Sequence, residues 1–383
     1  MIYLDNAATS RPKPPEVLQA MNDFMNDVCA NSGRSGHHLA IQASRVVYET
    51  RESIAHLFNI SNPLQIIFTM NATESLNLAL HGILKPGDHV ITSSMEHNSV
   101  MRPLRFLESC GVELTVVKCS QDGFLDAHDI ENFIKENTKM VAINHGSNVI
   151  GSLAPIREIG NITRKHGVLF LLDTAQTAGA LPIDMNDMKI DLLAFTGHKS
   201  LCGPPGIGGL CIREDIKIKP LKQGGTGSRS EEEYQPELMP DVYESGTLNL
   251  VGIAGLGAGV RYIMNDGVEN IRVREVKLTQ RMIDGLREIP GVDVYGHPDA
   301  NLRVGVISFN TENISPSKVG LILDEDYDIM CRVGLHCAPI AHKTIGTFPD
   351  GTVRFGLGTF TTQQEVNAAV DAVKELSRQS KNK

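Results

Sequence analysis

The sequence predicts an α/β protein in which a mostly parallel sheet is covered by helices and a smaller α+β domain follows. Over the first two-thirds of the chain, short β-branched runs alternate with stretches whose apolar residues have helical spacing. Such alternation is typical of parallel sheets with helices on both faces. After Pro290-Gly291 the strands become shorter, which indicates a second and smaller unit. The length of 383 residues fits two domains.

Short apolar runs bounded by turn residues predict the strands of the larger unit. They lie at 65–69, 89–93, 113–117, 140–144, 168–173 and 192–196. Helical spacing predicts helices at 17–28, 73–84 and 104–110, and one or two helices over 248–289 with a break near 265–267. The smaller unit is expected to hold strands at 293–295, 304–309, 327–332 and 352–356 and helices at 317–323 and 363–378.

These patterns divide the chain into three parts. Residues 1–15 form an irregular N-terminal segment that is expected to pack with the small domain. Residues 16–250 form the large α/β domain. Residues 251–383 comprise linking helices and the small C-terminal α+β domain.

Composition narrows the classes of protein to which the chain can belong. Lys and Arg number 36 against 45 Asp and Glu, and the net charge of −9 disfavours nucleic acid as the main partner. No window approaches the roughly 18–20 apolar residues of a membrane span, and the N-terminus lacks the pattern of a signal peptide. The 7 cysteines are widely spaced, without a C-x-x-C pair or metal-ligand spacing. We therefore expect a cytoplasmic protein with neither a membrane partner nor a metal site.

Two predicted strand ends carry residues suited to a carbonyl cofactor. Lys199 follows the strand at 192–196 and precedes a glycine-rich loop. A lysine there forms an imine with a carbonyl group; the alternative is a surface lysine beside a turn. Asp173 ends an apolar run, where a carboxylate needs a cation such as the protonated ring nitrogen of pyridoxal phosphate. The alternative for Asp173 is a helix cap, and Gln176 lies within one helical turn of it.

Other residues suit the phosphate and the ring of the same cofactor. Asn71-Ala72-Thr73-Glu74 opens a predicted helix and fits a capping box, but its free N–H groups and the Thr73 hydroxyl also suit a phosphate. Thr196 and His198 are further candidate phosphate donors. His97 follows the strand at 89–93 and is suited to ring stacking and proton transfer. A solvated loop histidine is the alternative.

A thiol and an arginine complete the candidate chemistry. Cys337 lies in a turn-rich stretch beside His336 and near Arg332, and cationic neighbours favour the nucleophilic thiolate. Arg354 lies near the end of the predicted strand at 352–356, and its guanidinium is suited to a carboxylate. The alternatives are a packed cysteine and a surface arginine.

Taken together and in this order, these residues resemble a known family. The strings are Tyr3-Leu4-Asp5-Asn6-Ala7-Ala8-Thr9, Ala72-Thr73-Glu74, Glu96-His97-Asn98, Ser147-Asn148-Val149-Ile150-Gly151, Asp173-x-x-Gln176, Thr196-Gly197-His198-Lys199, Glu244-Ser245-Gly246-Thr247 and Arg332-x-Gly334-x-His336-Cys337-Ala338. The chain resembles the class V aminotransferases, which are fold-type I pyridoxal-phosphate enzymes, and within them the cysteine desulfurases. The last string is similar to that of the group II branch, which includes SUF-type desulfurases and selenocysteine lyase-like proteins.

The resemblance implies a role for each matching residue. Catalysis would fall to Lys199 as imine lysine and proton carrier, to His97, and to Cys337 as the nucleophile that takes up sulfur as a persulfide. The cofactor would be bound by Lys199, Asp173, Gln176, His97, Thr73, Ala72, Thr196, His198 and Thr247. Thr247 would reach the site of a partner subunit, which implies a homodimer. The substrate carboxylate would be bound by Arg354, Asn148 and Asn6.

The implied activity is conversion of L-cysteine to L-alanine, with sulfur passed through Cys337 to an acceptor protein. Selenocysteine lyase, cysteine sulfinate desulfinase, an aminotransferase-like enzyme of the same fold and a non-catalytic scaffold remain alternatives. Leu335 and residues 340–342 differ from relatives on the loop that would meet an acceptor. The acceptor therefore stays open, as does the choice between iron–sulfur clusters, tRNA thiolation and selenium metabolism.

Overall fold

A seven-stranded sheet lies at the centre of the larger part of the molecule. The structure is a computed structural model that describes residues 1–33, 36–229 and 231–381, with side chains to residue 378. Residues 382–383, which close the predicted last domain, lie outside the described residues.

The elements of the first 266 residues mostly alternate between strands and helices, apart from three successive strands and two successive helices. In chain order they are β1 (Ile2–Tyr3), α1 (Pro15–Asp23), α2 (His38–Leu57), β2 (Ile66–Thr69), α3 (Ala72–Ile83), β3 (His89–Ser93), α4 (Asn98–Ser109), β4 (Glu113–Val117), α5 (Ala127–Asn132), β5 (Thr138–Asn144), α6 (Ile156–His166), β6 (Leu169–Asp173), β7 (Leu192–Thr196), β8 (Gly208–Ile212) and α7 (Leu250–Asp266). The remaining elements are α8 (Val268–Arg287), β9 (Val292–Tyr295), β10 (Val306–Thr311), α9 (Pro316–Tyr327), β11 (Ile329–Met330), β12 (Arg332–Gly334), α10 (Pro339–Ile345), β13 (Thr352–Gly356) and α11 (Gln363–Lys381).

The central sheet has the strand order β2-β8-β7-β6-β5-β3-β4. All neighbouring pairs are parallel except those of β8, which runs antiparallel to β2 and β7. The prediction of a mostly parallel sheet covered by helices is therefore confirmed. Because the parallel strands end at one edge, the loops that follow them meet there, which is where ligands bind in such sheets.

Strand β8 is the one strand of this sheet that the sequence patterns do not predict. It begins with Gly208-Gly209, which reads as part of a glycine-rich loop. A Cβ at Gly209 would lie 2.4 Å from the Phe195 ring, so a glycine is required for β8 to pack this closely. The glycines therefore allow close strand packing rather than a turn at these positions.

Two helices pack between the sheet and the C-terminal part. Helices α7 and α8 meet at Gly267, whose φ of +84° is favourable only for glycine, and the predicted break is confirmed there. The predicted helix at 17–28 ends as an α-helix at Asp23 and continues to Val28 as one π-helical turn. Across the parts of the chain that the structure describes, no helix combines the length and apolar character needed to cross a bilayer.

The C-terminal part contains a four-stranded antiparallel sheet with the order β12-β13-β10-β9. Its core contains Phe309 and Phe355, whose rings lie 5.0 Å apart, and it also includes Leu4 from the N-terminus. The predicted strand at 327–332 is two short strands, because β11 pairs with β1 whereas β12 pairs with β13. The chain therefore changes sheets between them, and β1 ties the N-terminal segment to this part of the molecule.

Candidate active site

A cavity of about 290 Å³ lies at the edge where β2, β3, β5, β6 and β7 end. Most of the residues that the sequence singled out line it together. These are Lys199, Cys337, His97, Asp173, Gln176, Thr73, Ala72, Thr196, His198, Arg354 and Asn148. The loops after the parallel strands supply most of them, while Cys337 and Arg354 come from the C-terminal part.

Asp173 is the last residue of β6 and is buried at the base of the cavity. One of its oxygens accepts the backbone N–H of Ala175 at 2.9 Å. Asp173 therefore caps the following turn, which is one of the two roles that the sequence suggests for it. Among the described residues, its other oxygen has no hydrogen-bond partner. Burial raises the pKa of Asp173, and the positive charge of Lys199 opposes that shift. The free oxygen is thus available to a cationic donor in the cavity.

Lys199 lies in the turn after β7, on the wall of the same cavity. Burial lowers the pKa of its ammonium to about 8, and the Asp173 carboxylate opposes this change. Within the described part of the chain, Nζ has neither a hydrogen-bond partner nor an ion pair. About a tenth of the amine is therefore neutral and nucleophilic at pH 7, far more than for a lysine with an ordinary pKa.

His97 caps the N-terminus of α4 through its ring. Its Nδ1 accepts the Ser99 backbone N–H at 3.0 Å and lies 2.9 Å from Ser99 Oγ. Ser99 Oγ also lies 2.7 Å from Thr73 Oγ1, which joins the starts of α4 and α3. Burial, with Lys199 as the next cause, lowers the pKa of His97 to about 4. The ring is therefore neutral at pH 7, with its proton on Nε2 because Nδ1 is an acceptor.

The start of α3 is built for an anion. Asn71 Oδ1 accepts the Glu74 N–H at 3.0 Å, and Glu74 Oε2 accepts the Met70 N–H at 2.6 Å rather than that of Asn71. The predicted capping box is thus present, except that the Glu74 carboxylate accepts the N–H of the residue before the N-cap. The first N–H groups of the helix have no partner within it, and Ala72 and Thr73 line the cavity. Thr196 Oγ1 is buried nearby without a partner in the described residues.

Arg354 lines the same cavity and is almost fully buried. Its Nη2 donates to Asp5 Oδ1 at 3.0 Å and its Nη1 donates to the Asn148 carbonyl oxygen at 2.9 Å. Burial lowers the pKa of Arg354, and Asp5 opposes the shift. The Arg332 guanidinium lies 3.5 Å from Asp5 Oδ2 and lines the same cavity. A single carboxylate therefore orients two guanidinium groups.

Cys337 is exposed and free, on a backbone turn of unusual shape. His336 and Cys337 are consecutive residues with φ of 48° and 57°, in the left-handed region that costs non-glycine residues energy. Two contacts hold this turn: Asn148 Nδ2 donates to the His336 carbonyl at 2.6 Å, and the Asn98 N–H donates to the Cys337 carbonyl at 2.8 Å. The thiol is thereby directed to the cavity wall by contacts with loops that follow β3 and β5.

Asn6 and Thr247 do not line the cavity. Asn6 donates to the carbonyls of Tyr3 and Gly356 and accepts the Arg11 N–H, so its amide is occupied by the backbone. Thr247 instead lines a separate groove beside α2. Asn6 therefore holds the backbone around it and has no side-chain group free for a substrate. Thr247 does not contribute to the cavity of the chain to which it belongs.

Sequence reasoning missed three contributors to this site. Ser99 joins His97 to Thr73, and Asp5 orients Arg354. Glu96 is fully buried, and its Oε1 accepts Ser93 Oγ at 2.6 Å and the backbone N–H of the residue that ends β5 at 3.1 Å. Burial raises the pKa of Glu96 to about 8. Asp5 and Glu96 both lie in matched strings, but only their distant partners reveal what they do.

The sequence matches a known protein family along most of its length. The class V aminotransferase family matches residues 2–369. The chain belongs to this family. It is 35% identical over 382 residues to a probable cysteine desulfurase of Methanothermobacter thermautotrophicus, covering 98% of this chain and 94% of that protein. It is 36% identical over 385 residues to a probable cysteine desulfurase of Pyrococcus abyssi, with coverage of 98% and 94%.

A solved structure supports the same assignment. The apo structure of a cysteine desulfurase from Thermococcus onnurineus NA1 superposes with a TM-score of 0.93 at 36% identity, covering 98% of this chain and 94% of that chain. The chain is therefore similar to cysteine desulfurases along nearly its whole length, in sequence and in fold.

Class V aminotransferases are pyridoxal-phosphate enzymes, and this chain takes the same cofactor. The cavity fits the group. The unpartnered Thr196 hydroxyl and the start of α3 match its phosphate, and the free oxygen of Asp173 matches its ring nitrogen. Gln176 donates to the Ala7 carbonyl at 3.1 Å and keeps a second amide hydrogen for the ring oxygen. The amine of Lys199 is free to hold the carbonyl carbon.

Proposed function

We propose that this chain is a cysteine desulfurase that converts L-cysteine to L-alanine and takes the sulfur onto Cys337 as a persulfide. The observation that carries the proposal is the exposed thiol of Cys337 on the wall of the cavity that contains Lys199 and Asp173. An aminotransferase needs no thiol at this position, whereas removal of sulfur needs a nucleophile to accept it.

The residues around the cavity have separable tasks in this proposal. Pyridoxal phosphate, when bound, supplies the electron sink that stabilises negative charge at the substrate α-carbon. Asp173 keeps the ring nitrogen protonated, and the amine of Lys199 removes the α-proton. Arg354 binds the substrate carboxylate, with Asn148 beside it. His97, which lines the same cavity, would hold the face of the ring and carries its proton at Nε2.

Sulfur transfer balances without a further reactant. The Cys337 thiolate forms a bond to the substrate sulfur while the bond from that sulfur to the substrate β-carbon breaks. The electron pair of the broken bond stays on the carbon fragment, which gains protons to become alanine. One cysteine and one enzyme thiol thus give one alanine and one enzyme persulfide.

We include a homodimer in the proposal. Thr247 lies in a groove with Tyr48, away from its own chain's cavity, and so is free to reach the cofactor phosphate of a second copy. Ile41 and Tyr48 on α2 and Met70 before α3 are 58%, 46% and 61% exposed, and a partner subunit would cover them. A cytoplasmic location fits the seven free cysteines.

The persulfide requires an acceptor protein. A groove lined by Cys337, Arg102 and Phe106 opens outward from the thiol, and Phe106 is 59% exposed. An acceptor thiol approaching along this groove would meet the outer sulfur of the persulfide. Iron–sulfur cluster assembly is the sulfur consumer that we place first, and its test is cluster formation on an acceptor supplied with iron and cysteine.

The deciding experiment measures sulfide and alanine released from L-cysteine with added reductant. Wild type is compared with Cys337→Ala and with Cys110→Ser, an exposed cysteine outside the cavity. We expect both products from wild type and from Cys110→Ser and neither from Cys337→Ala. Equal release by Cys337→Ala would contradict the persulfide, and an inert wild type that acts on selenocysteine would move the substrate to that amino acid.

A further inference from the structure

The turn that carries Lys199 is held by hydrogen bonds from the N-terminal segment. The His198 carbonyl accepts the Ser10 backbone N–H at 2.9 Å and the Thr9 hydroxyl at 3.1 Å. The Lys199 carbonyl accepts Ser10 Oγ at 2.8 Å. The segment therefore contacts the peptide groups on both sides of the Lys199 α-carbon.

Lys13 adds a cation to this network. Its Nζ lies 2.7 Å from the His198 carbonyl oxygen and 2.8 Å from Ser10 Oγ, and it donates to both. Ser10 Oγ, polarised by the ammonium, in turn donates to the Lys199 carbonyl. Hydrogen bonds from a charged donor are about twice as strong as neutral ones. The hydrogen bond from Lys13 to the His198 carbonyl is therefore the strongest that the N-terminal segment makes to this turn.

The ammonium of Lys13 donates to oxygens at the Lys199 turn and forms no ion pair with a carboxylate in the described part of the chain. No acidic side chain among the described residues pairs with it, and its side chain is half-buried. Burial lowers its pKa to about 8. Holding an ammonium here costs desolvation energy that an exposed lysine would avoid, and the two hydrogen bonds offset that cost.

We propose that Lys13 is a positioning residue for Lys199. Through His198 and Ser10 its ammonium fixes the turn, and so fixes the direction from which the Lys199 amine enters the cavity. Lys13 itself does not line the cavity, so it acts without touching cofactor or substrate. The inference rests on the proposed role of Lys199 in holding the cofactor.

The same segment is anchored at its other end near the substrate side of the cavity. The Leu4 N–H donates to the Met330 carbonyl at 2.9 Å, and Asp5 accepts from Arg354 at 3.0 Å. These contacts do not pass through Lys13. Loss of Lys13 is therefore expected to disturb the Lys199 turn while Arg354 stays in place.

The test compares holoenzymes of wild type, Lys13→Met, Lys13→Arg and Lys318→Met, the last being an exposed lysine on α9 as control. The first readout is the rate at which hydroxylamine displaces Lys199 from pyridoxal phosphate, followed by cofactor absorbance. The second is kcat and KM for cysteine. The third is the thermal unfolding temperature.

For Lys13→Met we expect displacement to be about tenfold faster and kcat to fall by about tenfold to a hundredfold, the scale of a misplaced reacting group. KM should stay within about twofold, because the substrate contacts are unchanged. Lys13→Arg, which keeps a charged donor, should restore much of both losses, and Lys318→Met should match wild type.

Equal displacement rates in wild type and Lys13→Met would overturn the proposal. The proposal would also be overturned if kcat fell only in proportion to a lower unfolding temperature and Lys13→Arg recovered neither. Lys13 would then contribute to general stability. The displacement readout needs no turnover of cysteine, so it stays informative if the proposed activity itself fails.

Discussion

The Arg354 guanidinium donates to the Asp5 carboxylate at 3.0 Å across 349 positions of sequence. Arg354 is the middle residue of β13 in the C-terminal sheet, whereas Asp5 follows β1. The ion pair is nearly buried on the arginine side, so both partners are held in one geometry. In the proposed reaction, a substrate carboxylate would meet a guanidinium that is already oriented.

Replacing Arg354 is expected to weaken substrate binding more than turnover. Arg354→Ala removes charged hydrogen bonds worth on the order of 1.5–3 kcal/mol, so KM for cysteine should rise by about tenfold to a hundredfold. Arg354→Lys keeps the positive charge but lacks the paired N–H donors of the guanidinium, so its KM should lie between those of wild type and Arg354→Ala. Steady-state kinetics beside Arg281→Ala, an exposed arginine on α8, provides the check. An unchanged KM in Arg354→Ala would remove it from the substrate site.

Replacing Lys199 is expected to abolish turnover without unfolding the protein. Its lowered pKa of about 8 results mainly from burial, so Lys199→Ala removes a group that is costly to bury when charged. Lys199→Arg keeps a cation but stays protonated and cannot act as the nucleophilic amine. Both variants should keep the wild-type circular dichroism spectrum and release no alanine. Alanine release above background by either variant would refute the assigned role.

The buried carboxyl of Glu96 is expected to make stability depend on pH. Its pKa of about 8 lies above the ordinary 4.5, so the folded state binds the proton more tightly than the unfolded state. That stabilisation is present at pH 5 and is lost as pH rises to 8, by on the order of 3 kcal/mol. Glu96→Gln stays neutral at every pH, so its free energy of unfolding should fall less over this range. Denaturant unfolding at pH 5 and pH 8 measures the difference, and parallel losses in the two proteins would contradict a protonated Glu96.

Mixing Thr247→Val chains with Lys199→Ala chains at limiting cofactor is expected to raise activity above that of either variant if Thr247 serves the partner subunit. Thr247→Val chains should hold pyridoxal phosphate more weakly, because one hydroxyl donor to the phosphate is lost. In a mixed dimer with Lys199→Ala chains, one site combines an intact Lys199 with an intact Thr247. Co-refolding at limiting cofactor should then recover up to about a quarter of wild-type activity. Recovery no greater than the sum of the separate variants would assign Thr247 to its own chain.

Local patterns predicted the elements of the large sheet closely. Strands β3, β4 and β7 begin and end where the sequence predicts, because alternation and bounding turn residues are local features. Strand β8 was missed, since its glycines are explained only by the Phe195 ring against which they pack. The same limit applies to Asn6, whose amide is occupied by backbone groups as distant as Gly356.

The sequence by itself determined which chemical groups this protein has and which of them follow strand ends. Lys199, Asp173 and Cys337 could be singled out because residue type and local context identify an amine, a carboxylate and a thiol. Only the tertiary structure decided that Asp5 orients Arg354, that burial raises the pKa of Glu96 and that Lys13 contacts the Lys199 turn. These properties depend on burial and on contacts between residues far apart in the chain, and no local pattern encodes either.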